Sequence, residues 1–207
     1  MGKLFGPDSP AIKFLWKMAD LIALNLIWLV CCIPIITIGP ATTAMYCVAR
    51  KMAEGEWPAV LKPFFKAFKD NFKQSLLVFL ALLIPVCLAV AYLLLSISGA
   101  LNSLIIVKYF SYLAVAIIGC ICTYVYPLMA YFENTIGNTL KNAILLPLAN
   151  PFLAVIATAL NLLPFLVLLI SVEAFVTVSF LWLVIGFSAI SLVNSKMLGR
   201  LFQRFVG

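Results

Sequence analysis

Four long runs of almost uncharged apolar residues dominate the chain after its first third: 75–97, 104–131, 151–170 and 174–193. Each reaches about 20 residues or more, the length at which a helix crosses a ~30 Å hydrocarbon core. Each therefore predicts a membrane-spanning helix. Pro85, Pro127 and Pro164 fall inside these runs. In lipid such helices persist, because neighbouring helices re-satisfy the freed backbone groups, so a kink is expected at each proline.

An earlier uncharged stretch, 21–48, contains Pro34, Gly39 and Pro40. A residue before proline avoids the helical region, so the Gly39-Pro40 pair excludes one long helix. Two arrangements remain: a single span ending near Gly39, or a hairpin that turns within 34–40 and returns through 41–51. At roughly 28 residues the stretch is too short for two perpendicular spans of about 20 each. A hairpin thus predicts a long first helix and a short returning one. Irregular backbone at membrane depth is tolerated where protein covers it, so residues 33–40 are expected to be shielded by other helices.

Composition and charge then choose between the arrangements. Hydrophobic residues make up 65% of the 207-residue chain and charged residues 10%. Soluble domains run near 45–50% and 25%, so lipid must solvate most of this surface. The net charge is +7. The lysines flank apolar segments, which makes an anionic membrane leaflet, rather than nucleic acid, the expected partner. With a hairpin, Lys108 alone of the 14 basic residues lies opposite the other 13; with a single span the best split is 10 against 4. The positive-inside rule selects the hairpin, with both termini cytoplasmic in a multi-pass protein of the cell membrane. The reading is an all-α polytopic transmembrane bundle, one domain over residues 1–207, with about six membrane segments.

Two polar-flanked segments predict cytoplasmic amphipathic helices. In residues 62–73, KPFFKAFKDNFK, Pro63 suits a first helical turn. At helical spacing Phe64, Phe65, Phe68 and Phe72 form a stripe beside Lys62, Lys66, Lys69 and Lys73. Rings with a lysine flank suit a headgroup boundary or a docking partner, and Phe64, Phe65, Lys66, Phe68, Lys69, Phe72 and Lys73 are the candidate contacts. The second segment is 133–148. Its Leu140-Lys141-Asn142-Ala143-Ile144 echoes Phe72-Lys73-Gln74-Ser75-Leu76, suggesting a parallel duplication of 62–130 and 131–197.

Polar residues in the apolar runs are the remaining candidates. Asp20, Asn25, Pro34, Gly39, Pro40 and Asn161 form the candidate membrane-embedded polar or hinge set, and Asn194 is expected to close the last helix. Membrane asparagines commonly hydrogen-bond between helices. The six cysteines all sit in apolar stretches, where free cysteine packs as a small hydrophobe. The chain has no histidine and only seven carboxylates. Imidazole chemistry and its usual zinc and haem ligation are excluded, and no phosphate-binding G-x-x-x-x-G-K-[ST] loop occurs. Neither enzyme activity, cofactor nor metal is expected.

The opening F-G-P-D-S-P, the Asp20 and Asn25 pair, the P-I-I-T-I-G run at 34–39, F-F-K-A-F-K-D-N-F-K-Q at 64–74 and the stretch 131–148 together resemble the YesL-like bacterial membrane proteins. That resemblance implies a family of unknown function, often encoded beside carbohydrate ABC importers, with no established catalytic residues. It leads to the expectation of a non-enzymatic accessory or regulatory subunit contacting importer membrane subunits. The alternative is a small independent transporter or channel with its site at the broken hairpin.

Overall fold

The computed structural model describes residues 9–98, 105–168 and 171–206. The opening cue 5–8, Lys3 and the ends of two expected spans, Leu104 and Ile170, lie outside the described residues. Those described form eight α-helices: α1 (Pro10–Cys31), α2 (Ile38–Ala53), α3 (Leu61–Ile97), α4 (Ile105–Tyr131), α5 (Ile136–Ala149), α6 (Pro151–Leu168), α7 (Val172–Leu181) and α8 (Phe187–Val206). No strand occurs among them. Large apolar side chains are exposed throughout, from Ile84 and Leu88 on α3 to Val176 and Phe180 on α7. Water would not tolerate this surface; lipid does. The chain is an all-α membrane protein.

Helix α1 begins where Ser9 accepts a hydrogen bond from the Ile12 N–H at 3.3 Å and Pro10 opens the first turn. It stops short of Pro34. A tight 3-10 turn, Ile35–Thr37, then leads into α2. Gly39 and Pro40 are not the break itself: they sit in the first turn of α2, where a proline's missing N–H is no loss. The tip is also not shielded. Ile33 is 77% and Ile35 67% exposed. It can face lipid because its backbone is closed locally. The Thr37 hydroxyl lies 2.6 Å from the carbonyls of both Cys31 and Pro34, and the Thr37 N–H donates to Pro34 O at 2.9 Å.

Among the described residues four stretches, against the six or so expected, are long and apolar enough to cross a membrane: Pro10–Cys31, Leu61–Tyr92, Tyr112–Tyr131 and Glu173–Phe202. The pair α5 and α6, bent by 112°, makes a fifth when taken as one broken span. Helix α2, at 16 residues, is about 24 Å long and falls short of a full crossing. It is instead the buried centre of the bundle, packed by α1, α3, α4 and α8. Small side chains permit this: Ala41, Ala44 and Ala49 are fully buried, and Gly39 lies against α3. The Ser75 hydroxyl donates to Thr43 Oγ1 at 2.9 Å in the same buried contact.

Residues 62–73 do not form a separate helix. They open the 37-residue α3, roughly 55 Å of continuous helix that outruns the hydrocarbon core. Nothing between Lys73 and Leu76 breaks the helix, so the amphipathic start runs straight into its span. Segment 133–148 behaves differently: Thr135 caps α5, and a sharp bend at Asn150 precedes α6.

The α2–α3 contact is a close small-residue joint. A Cβ on Gly39 would lie 2.7 Å from both Phe79 Cβ and the Ser75 carbonyl oxygen. Gly39→Val should destabilise the detergent-solubilised protein by about 1–3 kcal/mol, the usual cost of overpacking. Gly119→Ala, where nothing lies within 4 Å, is the control. Equal thermal unfolding of the two variants would refute the close approach.

Candidate functional site

Helix geometry changes between α7 and α8, where Trp182–Gly186 is a π-helical segment. Such a segment shifts the backbone hydrogen-bond register and frees peptide groups, which in lipid must be satisfied within the protein. One side chain from α1 does this. The Asn25 amide nitrogen donates to the Leu183 carbonyl at 2.7 Å and to the Trp182 carbonyl at 3.3 Å. Its oxygen accepts from the Ser188 N–H at 3.0 Å. Asn25 is fully buried. The Ser188 hydroxyl, in reach of the Leu21 carbonyl at 2.8 Å and the Ile185 carbonyl at 2.9 Å, ties α8 back to α1. Gly186 is required here, because a Cβ would come within 2.6 Å of the Trp182 ring.

From this latch a buried polar seam follows α8 at helical spacing through Ser188, Ser191, Asn194 and Ser195. The Ser191 hydroxyl donates to the Ser188 carbonyl at 2.8 Å, and the Asn194 amide to the Tyr46 hydroxyl of α2 at 3.2 Å. Asn194 sits inside α8, which continues to Val206, so it does not close the helix. Asn194 Oδ1 and the Ser195 hydroxyl are buried without a protein partner. Buried polar atoms of that kind call for a water or a ligand.

The seam leads to the basic end of the bundle. There Arg50, in the last turn of α2, donates to the Ala130 carbonyl at 2.9 Å and so caps the end of α4. It also pairs with Glu54 at 3.0 Å and lies 4.8 Å over the Tyr131 ring. Gln74 of α3 donates to the Asn134 carbonyl at 2.6 Å, and Lys17 of α1 lies 4.9 Å over the Trp57 ring. These contacts gather the starts of α1 and α3 and the ends of α2, α4 and α8 on one face.

The expected membrane-embedded set does not converge. Asn25 enters the latch. Asp20 is half-buried on α1, and Pro34 is exposed in the tip. Gly39 and Pro40 are buried, with Gly39 pressed on α3. Asn161 lies elsewhere, donating to its own helix at Ala157 O (2.9 Å) and weakly to Thr123 Oγ1 of α4 (3.4 Å). Along α3, Phe64 is wholly buried in the core with Leu24, Val48 and Met52, and Phe68 packs against it. Phe65 and the lysines Lys62, Lys66, Lys69 and Lys73 are exposed, and Phe72 is half-buried. Sequence reasoning missed Gly186, Ser188, Ser191, Ser195 and the capping role of Arg50. The Ser-x-x-Ser-x-x-Asn-Ser spacing was a readable sign of a polar helix face. All six cysteines are free, and among the described residues no three His, Cys, Asp or Glu side chains cluster.

Residues 21–93 match a family described as a protein of unknown function, DUF624. The match covers the latch asparagine, the hairpin, α2 and most of α3. No curated protein and no solved structure matches the chain.

Asn25→Leu should strand peptide groups at the π segment and lower stability by about 2 kcal/mol, as buried unsatisfied groups do. Asn161→Leu, whose better bond is within its own helix, should cost about 0.6 kcal/mol, near the membrane average. Similar losses for both in a denaturation series would contradict the latch.

Proposed function

We propose that this protein is a non-enzymatic accessory or regulatory subunit that docks onto the membrane subunits of a carbohydrate ABC importer through its basic end, facing the cytoplasm. One observation carries the reading: the start of α3 is a rigid, lysine-lined projection. Burial of Phe64 anchors that helix to the α1–α2 core, while Lys62, Lys66, Lys69 and Lys73 stay exposed. A prearranged charged helix loses little entropy on docking. Beside it, α5 meets α6 at 112° and leaves Ile144, Leu145 and Leu148 exposed, an apolar face at the membrane boundary. The match over residues 21–93 supports the YesL-like resemblance, from which the importer as partner is drawn.

A second reading, an independent transporter or channel, is favoured by the unpartnered Asn194 Oδ1 and Ser195 hydroxyl inside the bundle. The broken hairpin itself offers it little, since Gly39 leaves no space against α3.

Purification in mild detergent, followed by mass spectrometry, should recover importer membrane subunits with the wild-type chain. The quadruple variant Lys62→Glu, Lys66→Glu, Lys69→Glu, Lys73→Glu should lose them while retaining membrane insertion and thermal stability. Recovery of the chain alone, together with solute flux in liposomes, would replace the accessory role with transport.

A further inference from the structure

Two clefts at the basic end share one residue. The first, about 380 Å³, is polar and lies between the ends of α2, α4 and α8; Glu54, Tyr131, Ser195, Lys196, Gly199 and Arg200 line it. The second, about 400 Å³, lies between the α5–α6 bend and α8 and is lined by apolar Phe152, Leu153, Met197 and Leu201. Arg200 borders both.

Charge in the polar cleft is unbalanced. Its acid, Glu54, is already paired with Arg50 at 3.0 Å. Lys196 and Arg200, one helical turn apart on α8 and both exposed, have no acidic partner among the described residues. Gly199 keeps the wall open for the Tyr131 hydroxyl, which a Cβ would meet at 2.5 Å. Two cations suit a phosphate. The adjoining apolar cleft suits a hydrocarbon chain, and Phe152, at its mouth, is 80% exposed.

We infer that these neighbouring clefts bind one anionic phospholipid, with its phosphate held by Lys196 and Arg200 and an acyl chain laid along Phe152, Leu153 and Met197. This assignment is independent of the importer partner. A polar cleft alone would take free phosphate; the shared Arg200 and the apolar continuation favour the lipid. The site differs from general attraction of lysines to a charged leaflet, because its two cations border a polar cleft with an apolar cleft beside it.

The test uses delipidated full-length protein in detergent, with thermal shift and native mass spectrometry as readouts. Phosphatidylglycerol should raise the unfolding temperature and remain bound as a single copy, while phosphatidylcholine does neither. Lys196→Gln and Arg200→Gln should each weaken phosphatidylglycerol retention about tenfold, as expected when a charged hydrogen bond is lost. Phe152→Ser should weaken it without changing any charge. Lys62→Gln with Lys66→Gln, remote on α3, should leave retention unchanged. Equal stabilisation by inorganic phosphate would overturn the lipid in favour of a free anion. Equal retention of phosphatidylcholine, or equal loss in the α3 control, would overturn the site itself.

Discussion

A peptide group inside a bilayer has no water to turn to, and this constraint decides the shape of the molecule. Regular helix satisfies it without help. At three of the irregular places a specific side chain meets the need. At the hairpin tip Thr37 covers the carbonyls of Cys31 and Pro34. At the π segment Asn25 reaches across from α1 to the Trp182 and Leu183 carbonyls and the Ser188 N–H. At the end of α4 Arg50 takes the Ala130 carbonyl. Each polar residue serves one local need, which explains why so few suffice.

These closures allow an unusual arrangement, a helix too short to span yet buried at the centre. Helix α2 presents small residues to its neighbours, so α3 approaches at Gly39 and Thr43, and α8 approaches at Tyr46. Lipid offers little hydrophobic drive for helices to associate, so close packing and interhelical hydrogen bonds hold the bundle. The same core anchors the outer part of α3 through Phe64. Interior packing and the charged face are thus one mechanical unit, and the basic end inherits its rigidity from α2.

Much of this was legible in the residues. The apolar runs gave most of the spans, because length and bulk solvation decide them, although 151–170 reaches a crossing only together with α5. The proline-interrupted stretch 21–48 gave the α1–α2 hairpin. The joints were harder to read. Gly39-Pro40 resembles a break, but in a first helical turn neither residue interrupts anything, and the break falls at 32–37 instead. A π segment leaves no proline signature, so Trp182–Gly186 was invisible, although Asn25 marked its partner. The aromatic stripe of residues 62–73 showed an amphipathic helix but not its direction. Whether such a helix lies in the membrane plane or continues a span depends on the joint, and at Gln74-Ser75 nothing bends it. Asn161 and Asn25 look alike in sequence; only the distance between α1 and the π segment separates their roles.

The central claim is that the chain turns back at residues 32–37, so that both flanks of the α1–α2 hairpin lie on one side of the membrane. Single cysteines at Lys13, Lys62 and Glu173, placed in a variant without the six native cysteines, test it with a membrane-impermeant thiol reagent. The account predicts that positions 13 and 62 react from the same side and position 173 from the other. Labelling of positions 13 and 62 from opposite sides would contradict it.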